Sequence, residues 1–113
     1  MAAVVGPQDL HAESADVWDV RLETHGKRAV VLIEVTGDVT PRVFPLGPDR
    51  IVLDFPGASA SVRQTKLPGT GPLVAGVRIG QHAEAEVKVR LVVDVLRPAE
   101  STLTRDGGSI RLD

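Results

Sequence analysis

The stretch VWDVRLETH (17–25) recurs as VAGVRIGQH (74–82), with Val17, Val20, Arg21 and His25 matching Val74, Val77, Arg78 and His82 at an offset of 57. Further along, LIEV (32–35) aligns with VVDV (92–95) at an offset of 60, and RIVLD (50–54) with SIRLD (109–113) at an offset of 59. The offset changes in turn-like stretches, where insertions are tolerated. Two half-repeats, 17–55 and 74–113, therefore share one plan, and a repeat is the first thing to read in a chain because it constrains the whole fold.

Within each half the apolar residues alternate, which is the period of a strand packed on one side. VWDVRLE (17–23) is expected to place Trp18, Val20 and Leu22 on one face. RAVVLIEV (28–35) turns Val31, Ile33 and Val35 inward, and RIVLDF (50–55) does the same with Ile51, Leu53 and Phe55 while Arg50, Val52 and Asp54 face away. TPRVFPL (40–46) carries Pro41 and Pro45, and proline has no N–H for a ladder, so this segment is an edge or broken strand. LGPDR (46–50) reads as a turn, and RDGGS (105–109) has the Asp-Gly and Gly-Gly chemistry of a hairpin. PGASASVRQTKLPGTGP (56–72) has three prolines and three glycines and reads as irregular, so 56–73 is the connector between halves.

The count is eight strands and no helix over 17–113, with 1–16 a tail that holds at most a short turn near AESAD. A sheet of about four strands with one apolar face cannot hide that face alone, whereas two stacked sheets can. The expected fold is an all-β sandwich of two pseudo-symmetric, roughly four-stranded sheets. Its core is expected between the layers, from Ile33, Val35, Ile51, Leu53, Val93, Val95, Ile110 and Leu112. How the strands divide between the sheets stays open, an exchange of first strands between halves included.

Composition bounds the function. The chain has 113 residues, 42% apolar and 25% charged, the range of one ordinary globular unit. Its aromatics are Trp18, Phe44 and Phe55, so the core must be aliphatic. A net charge of −2 argues against a general nucleic-acid binder, which needs a basic field to displace counterions. With no cysteine there is no disulfide or thiolate metal site. No apolar run reaches the ~18–20 residues of a membrane helix, so no membrane insertion by this segment is expected. Met1–Leu10 lacks the basic-then-apolar pattern of a signal peptide. The chain reads as a piece of a larger protein with an added Met1, and an exported parent would carry its leader upstream.

Chemistry is harder to find. There is no Gly-x-Ser-x-Gly elbow, and GTGP (69–72) lacks the lysine and helix of a phosphate loop, so no catalytic residue and no cofactor is expected. His25 and His82 stand at matching positions, either as a metal pair or as an inherited turn residue; zinc takes three or four ligands, and no third neighbour is near in sequence. The candidate binding residues are the outward charges Arg21, Arg50, Asp54, Arg78, Arg90 and Asp94. They are either cross-strand ion pairs that keep the outer faces soluble, or a binding face whose arginine forks take carboxylates and acyl carbonyls.

Three segments in order, PDRIVLDFPG (48–57), VRIGQH (77–82) and RLVVDVLRP (90–98), resemble the AMIN domain, over about 17–113. That family is found in bacterial cell-wall amidases and type IV pilus secretins. The resemblance implies a two-sheet sandwich in the periplasm that is not itself an enzyme. It implies a targeting module that binds peptidoglycan and so localises an attached amidase or secretin, the amidase chemistry lying elsewhere. The alternative is a protein–protein interaction module docking on another secretin, pilus or septal component. With Trp18 and Phe55 expected inward, wall contact is expected to rest on arginine and polar groups, hence to be weak and salt-sensitive.

Overall fold

The computed structural model describes residues 15–83, 85–106 and 109–112. Ten strands run β1 (Asp16–His25), β2 (Arg28–Thr36), β3 (Arg42–Pro45), β4 (Arg50–Pro56), β5 (Ser59–Ala60), β6 (Lys66–Pro68), β7 (Val74–His82), β8 (Lys88–Val95), β9 (Leu103–Asp106) and β10 (Ser109–Leu112). They form two five-stranded sheets, in the orders β5-β1-β2-β10-β9 and β3-β4-β8-β7-β6. The fold is an all-β sandwich.

The division between sheets follows the repeat. The hairpin β1-β2 from the first half pairs, through β2, with β10 from the second. The hairpin β7-β8 from the second half pairs, through β8, with β4 from the first. Each sheet thus takes one hairpin from each half. The registers repeat as well: Val20 faces Ile33 as Val77 faces Val93, and Ser109 faces Glu34 as Arg50 faces Asp94. Even the irregularities match, with a register shift between Val17 and Asp19 in β1 and between Val74 and Gly76 in β7.

That shift corrects one expectation. Simple alternation puts Trp18 inward with Val20 and Leu22, but the extra residue of the bulge lets Val17 and Val20 both point into the core and leaves Trp18 47% exposed. Ala75 stands at the matching position on β7 and is exposed too. The irregular connector also holds more order than its prolines and glycines imply. β5 pairs parallel with β1 in one sheet, then β6 pairs antiparallel with β7 in the other, so the connector edges both layers and raises the strand count from eight to ten. The packed chain starts slightly before the expected boundary, since Ala15 is buried and β1 opens at Asp16.

Ile33, Val35, Ile51, Leu53, Val93 and Val95 are all buried between the layers, with Phe55 and Leu91 fully enclosed. Ile110 and Leu112 lie in β10, outside the residues whose side chains are described. β3 is an outer strand, as its prolines require. The turn from β6 to β7 lies over β1, where the Thr24 hydroxyl bonds to the Thr70 carbonyl at 3.0 Å. A side chain at Gly69 would meet the backbone of Val74 and Ala75 at 2.2–2.4 Å, so only glycine lets the chain reverse so tightly there.

Gly69→Ala is expected to cost at least about 2 kcal/mol of unfolding free energy, because backbone on both sides must shift. Gly26→Ala, in open space with φ +65°, should cost only the ~1–2 kcal/mol of a left-handed alanine. Urea titrations of the two variants give the comparison.

Candidate functional site

β4 and β8 lie side by side and antiparallel, with Arg50 opposite Asp94 and Asp54 opposite Arg90. In each strand the arginine and the aspartate are four residues apart, so reversing one strand against the other sets every arginine across from an aspartate. Both charges of a strand share a face because side chains two or four apart point the same way. This is the outer face of the second sheet. β7 adds Arg78, β3 adds Arg42 and Phe44, β6 adds Lys66, and β8 adds Lys88.

Two arginine forks are set on this face. Arg90 donates through Nε and Nη2 to the two carboxylate oxygens of Asp54 at 2.8 and 2.9 Å. Arg78 donates in the same way to Asp94 at 3.0 and 3.0 Å. Arg50 approaches the same Asp94 at 3.8 Å, and Lys88 approaches Asp54 at 3.8 Å. Each aspartate therefore holds two cations. Between the forks runs a row of Phe44, Val52 and Val92, with the Arg90 guanidinium 5.8 Å from the Phe44 ring centre.

Five of the six sequence candidates, Arg50, Asp54, Arg78, Arg90 and Asp94, come together here. Arg21 does not: it lies on the other sheet, 3.2 Å from Asp19 and 3.6 Å from Glu34. Alternation also put Val52 and Asp54 toward solvent, yet Val52 is fully buried and Asp54 is 3% exposed. They sit on an interior strand beneath long neighbouring side chains, an arrangement that period-two reading cannot register. Asp54 is thus a buried charge. The Arg90 hydrogen bonds hold its carboxyl below the usual carboxylate range against the cost of desolvation, with Lys88 and Arg42 adding attraction. Lys66, Lys88 and Arg42 are residues of this face that sequence reasoning missed; only the pairing register identifies them.

The two sheets differ on their outer faces despite the repeat. Where β1 carries Asp19 and Glu23, β7 carries Gly76 and Gly80; where β2 carries Val30, β8 carries Arg90. The second sheet's outer face bears six basic side chains against Asp54 and Asp94, with Glu86 reaching in to pair with Arg42 at 2.9 Å, in a chain whose net charge is −2. Gly80 needs no unusual backbone, and a side chain there would make only ordinary contact, 3.6 Å from His82, so there is room for one across from Arg90 that the sequence does not fill. Among the described residues, no three histidines, cysteines or acids gather as a metal site, and no helix is long and apolar enough to cross a membrane.

Asp54→Asn is expected to cost about 2–3 kcal/mol, below the 3–5 of a fully buried pair because the Arg90 side chain is 31% exposed. The carboxyl is lowered on folding, so its contribution is complete above the unfolded value of about 3.9 and is lost as pH falls through the folded one. Urea midpoints of the wild type should therefore fall more steeply below about pH 4 than those of Asp54→Asn.

The sequence model of the AMIN domain matches residues 19–111. No curated protein and no solved structure matches the chain. The match runs from β1 into β10 and takes in both sheets, and the chain belongs to the AMIN domain family.

Proposed function

We propose that the chain is a non-catalytic targeting module that binds peptidoglycan in the periplasm through the outer face of β3-β4-β8-β7-β6, and so places a larger envelope protein at the wall. The observation that carries this reading is the excess of cations held by Asp54 and Asp94. An exposed arginine is mobile, and losing that freedom on binding carries an entropic cost. Here Arg78 is fixed by a two-pronged bond to Asp94, and Arg50 shares that carboxylate at longer range. Both remain about half exposed and so keep donors for a ligand. The stem-peptide carboxylates and N-acyl carbonyls of the wall are acceptors of the kind such forks take. Gly80, across from Arg90, leaves the strand beside that fork low enough for a ligand backbone to approach.

The roles within the face divide. Arg90 closes the buried Asp54 and shapes the site, while Arg50 and Arg78 are the groups that meet the ligand. Trp18, exposed on the other sheet, is not part of it.

The isolated chain should sediment with purified sacculi at low salt, with binding that weakens as salt rises. Arg50→Glu and Arg78→Glu should each lower the bound fraction roughly five- to ten-fold with unchanged circular dichroism, the loss of a charge-assisted pair. Trp18→Ala should leave sedimentation as it is. A chain that stays in the supernatant at low salt refutes wall binding; loss on Trp18→Ala with retention in both arginine variants places the site on the other sheet.

A further inference from the structure

The repeat exposes a position that one half fills and the other leaves open. β6 lies against the outer edge of β7, with Lys66, Leu67 and Pro68 opposite Arg78, Val77 and Gly76. The Ile79 amide extends this pairing, donating to the Thr65 carbonyl at 2.8 Å. The matching edge of β1 is Asp19, Val20 and Arg21, with Leu22 in the place of Ile79. Among the described residues, the only strand on that side of β1 is β5, which pairs at Asp16 and Val17 and stops. Beyond it lies an open cleft of about 700 Å³. Its walls are the β1 edge and the segments 62–64 and 67–70. Val20 is buried at the cleft, with Leu22, Val62 and Leu67 half-buried around it, while Asp19 and Arg21 turn to its rim.

We propose that this edge is a docking site for an extended segment of a partner polypeptide, which adds antiparallel to β1 at Asp19–Arg21 as β6 adds to β7. The fold itself supplies the template. In the filled copy, Leu67 sits across from Val77 and packs on the core, so the residue across from Val20 is aliphatic and enters the cleft. Charge sets the flanks. The partner residue across from Arg21 is acidic and the one across from Asp19 is basic, as cross-strand pairs favour opposite signs. Read from its N-terminus, the partner therefore presents an acidic, an aliphatic and a basic residue in succession. The register directs the amide of the aliphatic residue to the Val20 carbonyl and the carbonyl two residues before it to the Leu22 amide. Such strand addition draws affinity from the main chain and selectivity from alternate side chains. The site lies on the other sheet from the proposed wall-binding face and does not depend on that reading.

The test is an amide chemical-shift titration of the full chain with a capped peptide carrying Thr-Glu-Val-Lys at its centre. Shifts are expected at 19–23 and 62–70. A Thr-Lys-Val-Glu peptide should bind roughly five-fold more weakly, a difference of about 1 kcal/mol for two exposed charge contacts. N-methylation of the central valine should abolish binding. The double variant Asp19→Lys with Arg21→Glu should reverse the preference between the two peptides, a readout that requires both to bind and so reports on folded protein. Its sedimentation with sacculi should be unchanged, so loss of wall binding and loss of peptide binding are separate results. Four results overturn the proposal: no shifts at millimolar peptide, shifts confined to β3, equal affinity for the two peptides, or dilution of the chain alone shifting 19–23, which makes a second copy the occupant.

Discussion

The pairing of β4 with β8 is the constraint on which the molecule rests. It joins a strand of the first half to a strand of the second, and its rungs set the inner and outer rows of the second sheet at once. On the inner side Ile51, Leu53 and Phe55 meet Val93, Leu91 and Val89. On the outer side the same registration brings Asp54 to Arg90. A slip by one residue would send the apolar row to solvent and the charges into the core. The buried carboxylate makes such a slip costlier still, since an unpaired charge there is expensive. Stability and the charged face are therefore two results of one register.

The alternation of apolar residues and the recurrence of 17–54 in 74–113 made the sandwich readable, because both reflect a burial demand that acts on every second residue. The core was readable for the same reason: Ile33 and Leu53 are where period two puts them. Trp18 was not, because a bulge adds a residue without leaving a mark in composition, and its matching position, Ala75, is too small to signal one. β5 and β6 were hidden by their setting among prolines and glycines, residues that tolerate an outer strand of two or three residues but argue against a long one. Of the candidate site, the residue types were readable and the grouping was not. Arg21 and Arg78 occupy matching positions, yet Arg21 stands between two acids, Asp19 and Glu34, while Arg78 shares one acid, Asp94, with Arg50 and lies across from Lys66. Neighbours across strands decide that difference, and they come from segments far apart in the chain.

Buried ion pairs are often a poor source of stability, and the Asp54–Arg90 fork invites the question of why an apolar pair does not stand there. The other sheet offers the comparison, with Val30 where β8 has Arg90. The fork does something that valine cannot. It anchors a guanidinium over Phe44 and across from Gly80, and it leaves Lys88 as a second cation beside a fixed centre.

The exchange of hairpins between halves has a consequence for symmetry. An arrangement in which each layer takes one hairpin from each half is the topology that two half-length chains would form by swapping hairpins around a two-fold axis. Such a dimer must display one surface twice, since any substitution appears on both sides. Joined by the 56–73 segment into a single chain, the halves are released from that obligation. Glycines could replace Asp19 and Glu23 on one side alone, and an arginine could replace a valine, without altering the opposite layer. The covalent link thus does more than hold the layers together: it lets a body built on an internal repeat have a front and a back.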